Sequence, residues 1–230
     1  MKVRLIAHTP HPDIISAAAA KLTHSKAAPD ELLRDADPDK MRSLLKSVVD
    51  MGHTSVVEHA YFTFSIEGIS RACSHQLVRH RIASFSQQSQ RYVNLNEPQY
   101  VVPPKIKSNI RLRRAYDEAM TNVWGAYNAL LKIGIPGEDA RYILPNAAKT
   151  NIIMTINARS LMNFFELRCC LHAQWEIREL AWRMLEVAKR AAPAIFENAG
   201  PLCRTRGECP EKAKECPNYP KGEKLVKKDY

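Results

Sequence analysis

RHRIASFSQQSQRY, residues 79–92, is the stretch on which the reading of this chain turns. It holds three arginines, a histidine, three serines, three glutamines and a tyrosine, and no carboxylate. The periodic segment before it, SRACSHQLVRHR, reads as a short helix that ends near Arg79. That puts Arg79, His80 and Arg81 at a helix C-terminus, where three consecutive side chains point in three directions. Such a junction suits contact with several groups at once. Arginines there also complement the helix dipole, and the serines and glutamines that follow could form a solvated loop. Solvated loops usually carry lysine and glutamate, which this stretch lacks. Its density of donors points to a ligand.

The rest of the composition bounds what that ligand can be. The chain has 230 residues, 45% hydrophobic and 25% charged, ordinary values for a globular protein with a sizeable core. Lys and Arg number 34 against 24 Asp and Glu, a formal charge of +10 that favours nucleic acid, nucleotides or acidic cofactors as partners. No run of eighteen apolar residues exists, so no membrane span is expected. The opening MKVRLIAHTPHPD lacks the apolar core of a signal peptide, so a cytoplasmic location with reduced thiols is expected. The cysteines are Cys73, Cys169, Cys170, Cys203, Cys209 and Cys216. The last three have five and six residues between them, no CxxC pair occurs, and no fourth ligand stands out. His53, His59, His75 and His80 fit no common metal spacing, so no metal site is assigned.

Outward from the motif, the pattern is of strands embedded among longer helices. VRLIAHT reads as a strand and Asp13 to Lys21 as a helix. PDELLRDA and DPDKMRSLLKSVVDMG each open with proline near the first helical position, and the second ends at Gly52. In HTSVVEHA, Ser55 and Glu58 have capping-box spacing. YFTFSIEG alternates as a strand with Phe62, Phe64 and Ile66 on one face. YVVPPKIK is extended up to its proline pair. RLRRAYDEAMTNVWGAYNALLKIG is a long amphipathic helix, PGEDARYIL a further helix ended by Pro145, and TNIIMTIN a strand. ARSLMNFFELRCC and HAQWEIRELAWRMLEVAKRAAP are helices. The expected class is α+β: a single domain over residues 1–200, with a central, mostly antiparallel sheet flanked by long helices. A basic, cysteine-containing tail, solvated and partly disordered, is expected over 201–230. No glycine-rich phosphate loop occurs, so any nucleotide must be held by arginines and helix ends.

Arg79, His80 and Arg81, followed after seven residues by Ser89 and then by Arg91 and Tyr92, resemble the signature of the flavin-dependent thymidylate synthases. GHTSVVEH upstream, ARYILP from Ala140, and NARSLMNFFELR from Asn157 with HAQWEI behind it match in the same order. The resemblance runs from about Gly52 to about Ile177 and leaves the tail outside. It implies methylation of dUMP to dTMP, with 5,10-methylenetetrahydrofolate as carbon donor, FAD as hydride carrier and NADPH as reductant. It also implies a homotetramer with active sites where subunits meet. All of these ligands are anions, which accounts for the +10 without a specific nucleic acid.

The resemblance assigns residues as well. His53, Ser55 and Glu58 fall beside the flavin, as do Asn157, Arg159 and Asn163, with His172 one helical turn past Arg168. Arg79, His80 and Arg81 contact FAD and border the nucleotide. Gln76, Gln87, Gln88, Ser89, Gln90, Arg91 and Arg141 hold the nucleotide, with Gln87 also bordering the cofactor. Arg168 activates the uracil as the catalytic group. Arginine is no ordinary base at neutral pH, but it can stabilise the charge that appears as the imide ionises. Arg91 and Arg141 suit phosphate because guanidinium binds it bidentately. The usual pattern carries asparagine and glutamate where this chain has Ser86 and Gln87, so Gln87 is read as a contact and not as an acid. No cysteine is expected to act as nucleophile. Each assigned residue also has a plain structural reading, and it is their joint occurrence that argues for a site. The competing reading is a basic nucleic-acid-binding protein. It rests on charge alone, because aromatics are only 7% and are not interleaved with the basic residues.

Overall fold

The structure, a computed structural model, describes residues 1–220. The final ten residues of the expected tail lie outside the described residues. The chain opens with β1 (Lys2–His8), α1 (Pro12–Leu22), α2 (Pro29–Arg34), α3 (Pro38–Asp50) and a 3₁₀ turn over Thr54–His59. Then come β2 (Tyr61–Ser70), α4 (Arg71–Leu77), β3 (Ser84–Gln87), α5 (Pro104–Lys107), α6 (Ile110–Lys132) and α7 (Gly137–Ala140). A 3₁₀ turn over Arg141–Ile143 leads to β4 (Lys149–Asn157), α8 (Ala158–Arg168), α9 (Trp175–Ala191), α10 (Pro193–Phe196) and α11 (Leu202–Thr205). The four strands form one antiparallel sheet in the order β1-β2-β4-β3. The α+β class is therefore as expected.

Local chemistry explains most boundaries. Proline stands in the first turn of α1, α2 and α3, where its missing N–H costs nothing. Asp37 and Asn109 cap α3 and α6 by accepting from N–H groups of the first turn. Just past α3, Gly52 takes φ 87, a value that favours glycine. Phe62, Phe64 and Ile66 alternate along β2 and are fully buried, as the period of two requires.

By contacts the chain sorts into two compact units. The first comprises Met1–Lys2, Ile66–Arg79 and Phe85–Ile153, and the second Val3–Ser65, His80–Ser84 and Met154 onward. In the first, Trp124 and Met120 of α6 pack on Ala148, with Tyr100, Tyr116 and Leu144 around them. The indole Nε1–H of Trp124 donates to the Leu95 carbonyl at 2.9 Å, and the Tyr116 hydroxyl to that of Val101 at 3.0 Å. Helix α6 thus pins the segment that follows the motif. In the second unit, Phe62, Phe196, Phe165 and Phe164 form a chain of edge-on rings with successive centroids 5.3, 5.9 and 5.8 Å apart. The buried Asp13 carboxylate accepts from the N–H groups of Ala194 and Ile195 and faces Arg42. Burial pushes its pKa up, against those three interactions.

Four expectations need correction. The serine and glutamine run is not a loop throughout, because Ser84–Gln87 forms strand β3 at the edge of the sheet. Helix α4 stops at Leu77, with Val78 as its C-cap, so the Arg79–Arg81 triplet lies beyond it. Ser55 and Glu58 form no capping box: His53 is the N-cap and makes no side-chain cap bond. Pro136 to Leu144 is not one helix and divides into α7 and a 3₁₀ turn, with Leu144 already extended ahead of Pro145.

Trp124→Ala removes a side chain that is 1% exposed together with its bond to Leu95. The expected loss of stability is about 3–5 kcal/mol by urea unfolding. A loss below about 1 kcal/mol would mean that α6 does not anchor this unit.

Candidate active site

In the first unit the motif's polar residues meet α4, α7 and β4. Gln87 donates through its amide nitrogen to Ser74 at 3.0 Å and to Thr150 at 3.2 Å, both buried. Gln88 pairs with Asn151 twice, through its backbone N–H at 2.9 Å and its side-chain oxygen at 3.3 Å. The Ser89 hydroxyl oxygen accepts from the Arg91 N–H at 3.1 Å, which folds the loop into a turn. The Gln90 amide nitrogen is buried and has no partner among the described residues. A buried donor left unpaired is costly, and a polar ligand would satisfy it.

Two arginines of this unit meet at Glu138. Its carboxylate holds Arg91 Nε at 2.6 Å, and its backbone carbonyl accepts from Arg141 Nε at 3.0 Å. Both guanidinium groups are tethered through Nε, which leaves their paired terminal nitrogens to meet an anion. A β-carbon at Gly137 would lie 2.8 Å from the Asn94 side-chain oxygen, so α7 approaches the loop closely here and a larger residue would make the Asn94 side chain turn away. Gln76, half-buried, bonds back to the Ala72 carbonyl, and Arg79 is exposed.

The second unit contains the other group. Asn157 ends β4 and caps α8, accepting from the Ser160 N–H at 2.8 Å. One residue into α8, Arg159 pairs with Glu58 of the 3₁₀ turn, so two segments far apart in sequence meet. His53, Ser55, Arg81, Asn163 and His172 are exposed. At the other end of α8, Arg168 Nε donates to His80 Nε2 at 3.0 Å. The acceptor role fixes a neutral His80 with its proton on Nδ1. The ring stands edge-on to the buried Phe164, centroids 4.8 Å apart. Burial, and after it the Arg168 charge, pushes the His80 pKa down to about 4.

The family model described as thymidylate synthase complementing protein matches residues 4–194. The flavin-dependent thymidylate synthase of Geobacter sulfurreducens is 51% identical over 218 residues, 94% of either chain. That of Clostridium tetani is 46% identical over 232 residues, 94% of this chain and 93% of the other. The chain belongs to the flavin-dependent thymidylate synthase family. The crystal structure of the UMP/dUMP methylase PolB from Streptomyces cacaoi, bound with 5-Br dUMP, shares the fold. Its TM-score is 0.75 over 85% of this chain and 93% of that one, at 24% identity.

Within this member of the family, two residues near the motif's arginines escaped the sequence reading. Arg71, at the start of α4, is half-buried, and its pKa is lowered by burial and by the nearby Arg141 charge. Two guanidinium groups held within reach of each other form a site of positive potential. Glu138, which holds Arg91 and Arg141, was the other. Neither carries a motif signal, because Arg71 matters through Arg141, seventy positions on, and Glu138 lies far from residues 79–92 in sequence.

The depressed His80 pKa has a definite sign. The unfolded imidazole takes a proton below pH 6.5 and the folded one only near pH 4. This contribution to stability is therefore full above 6.5 and is lost as pH falls toward 4. His80→Phe should flatten that limb of the pH–stability curve, and the wild-type His80 ring resonance should stay untitrated well below 6.5. A His80 resonance with a midpoint near 6.5 would contradict the neutral pair.

Proposed function

We propose that this chain methylates dUMP to dTMP with 5,10-methylenetetrahydrofolate as carbon donor, FAD and NADPH as reductants, and no cysteine nucleophile. The observation that carries the reading is the Arg168 guanidinium tethered by Nε to a neutral His80. Turning a pyrimidine ring carbon into a nucleophile requires stabilising the negative charge of the ionised imide. A fixed guanidinium supplies that without itself giving up a proton. A protonated His80 would repel Arg168, so neutrality of the ring keeps the guanidinium in place.

The nucleotide's phosphate falls to Arg91 and Arg141, with Arg71 adding charge, and Ser89 and the unpartnered Gln90 amide bond its polar groups. Gln87 and Gln88 shape the loop, and Gln76 and Arg79 border it. The donor set in the second unit suits an anionic dinucleotide flavin: guanidinium from Arg81 and Arg159, amide from Asn157 and Asn163, imidazole from His53 and His172, hydroxyl from Ser55. Family resemblance assigns Arg79 to the same cofactor, and Glu58 steers Arg159. Bound FAD supplies the hydride that completes the methyl group, replenished from NADPH.

The thiols support the cysteine-independent reading. Cys73 is fully buried, and burial pushes Cys169 up to about 12, far from the thiolate a nucleophile needs. Exposure of Arg79, Arg81, Arg159 and Asn163 on the single chain, with Ile82 73% exposed among them, suits a cytoplasmic homotetramer whose subunits cover these residues.

The purified protein should be yellow or become so with FAD. Arg168→Ala should keep flavin absorbance and lose about 10²–10³-fold in turnover, on the order of 3–4 kcal/mol. Arg168→Lys should recover little of it. A protein that takes up no flavin, or an Arg168→Ala variant that loses flavin affinity and turnover in equal measure, would overturn the reading.

A further inference from the structure

Four of the six cysteines line one cavity. It has a volume of about 240 Å³ and lies in the second unit, with Cys170, Cys203, Cys209 and Cys216 in its wall. Cys170 stands just beyond α8, Cys203 in α11, and the other two in the turns that follow. The Cys203 thiol lies close enough to Cys170, Cys209 and Cys216 to feel the charge of each. Cys209 and Cys216 each open a tight turn, their carbonyls accepting from the N–H groups of Lys212 at 3.1 Å and Tyr219 at 2.8 Å. Lys212, which closes the first of these turns, takes φ of 51, and Gly207, two residues before Cys209, takes φ of 65. The segment is fastened by Arg206 to Glu166 and by Arg204 over the Trp182 ring.

Packing accounts for Cys73 and Cys169, which are buried in the core. It does not account for four partly exposed thiols facing one hollow. All six cysteines are free, and the proposed reaction uses none of these four. We propose that Cys170, Cys203, Cys209 and Cys216 form a tetrathiolate site for a zinc ion. Four thiolates satisfy zinc's tetrahedral preference and leave no position open for substrate, which makes the site structural. The spacing of the tail cysteines leaves one ligand missing, and the fold supplies it as Cys170. Among the described residues no three His, Cys, Asp or Glu side chains stand ready-made around a metal. The turns bearing Cys209 and Cys216 must therefore move inward as the ion binds. Binding forms four zinc–sulfur bonds, releases four thiol protons and transfers no electrons. The ion would staple the tail to the end of α8, two residues past Arg168, which lines the same cavity.

The test uses the full-length chain, without a histidine tag, purified from zinc-supplemented culture. Elemental analysis should find about one zinc per chain, and a mercurial that caps thiols should release it to a metallochromic dye. Cys209→Ser and Cys216→Ser should each fall below about a tenth of an equivalent, whereas Cys73→Ala should keep its zinc. Cys170→Ser should behave as the tail variants do. If it fails to fold, the tail variants decide. Wild-type protein without zinc, iron with acid-labile sulfide in its place, or full zinc retained in Cys209→Ser would each overturn the proposal.

Discussion

Asn157 is the constraint on which the second unit depends. It is the last residue of β4 and the N-cap of α8, and its side chain closes the first turn of that helix. The next N–H, from Ala158, donates to the Ala60 carbonyl at 2.8 Å, which ties the junction to the start of β2. With strand and helix joined without a loop, the direction of α8 follows from that of β4. Everything that α8 carries is then placed: Arg159 against Glu58, Phe164 under the His80 ring, and Arg168 against His80 Nε2.

The arginines follow a common rule. Arg91, Arg141 and Arg168 are each held through Nε, by a carboxylate, a backbone carbonyl and a neutral imidazole respectively. Tethering that nitrogen fixes the plane of the guanidinium and leaves its outer pair for a ligand, so less side-chain entropy remains to be lost on binding. Only one of the three tethers is a carboxylate, so most of the positive potential is left unneutralised. The +10 charge of the chain is consistent with ligands that are all anionic.

Legibility from sequence divided along physical lines. Phe62, Phe64 and Ile66 announced β2 because a half-buried strand must alternate. Helices α6, α8 and α9 were plain because long apolar faces repeat at helical spacing. Family membership was legible from the motif residues taken as a set. Strand β3 was not, because Ser84–Gln87 has little apolar patterning and joins the sheet at its edge. The Ser55 and Glu58 spacing misled because the turn starts one residue earlier, at Thr54, so Ser55 lies inside it and Glu58 pairs with Arg159 instead. Arg71, Glu138 and the meeting of Cys170 with the tail cysteines depend on contacts distant in sequence, which no local pattern encodes.

In the proposed reaction His80 acts through Arg168, by accepting from its Nε. A double-mutant cycle on turnover with His80→Phe and Arg168→Ala tests this most directly, with flavin binding followed in parallel. Phenylalanine keeps a ring against Phe164 and removes both ring nitrogens, the Nε2 acceptor among them. If the pair works as a unit, each single variant loses turnover and His80→Phe adds almost nothing once Arg168 is gone, giving a coupling of about 1–3 kcal/mol. Fully additive losses would show that His80 and Arg168 act independently.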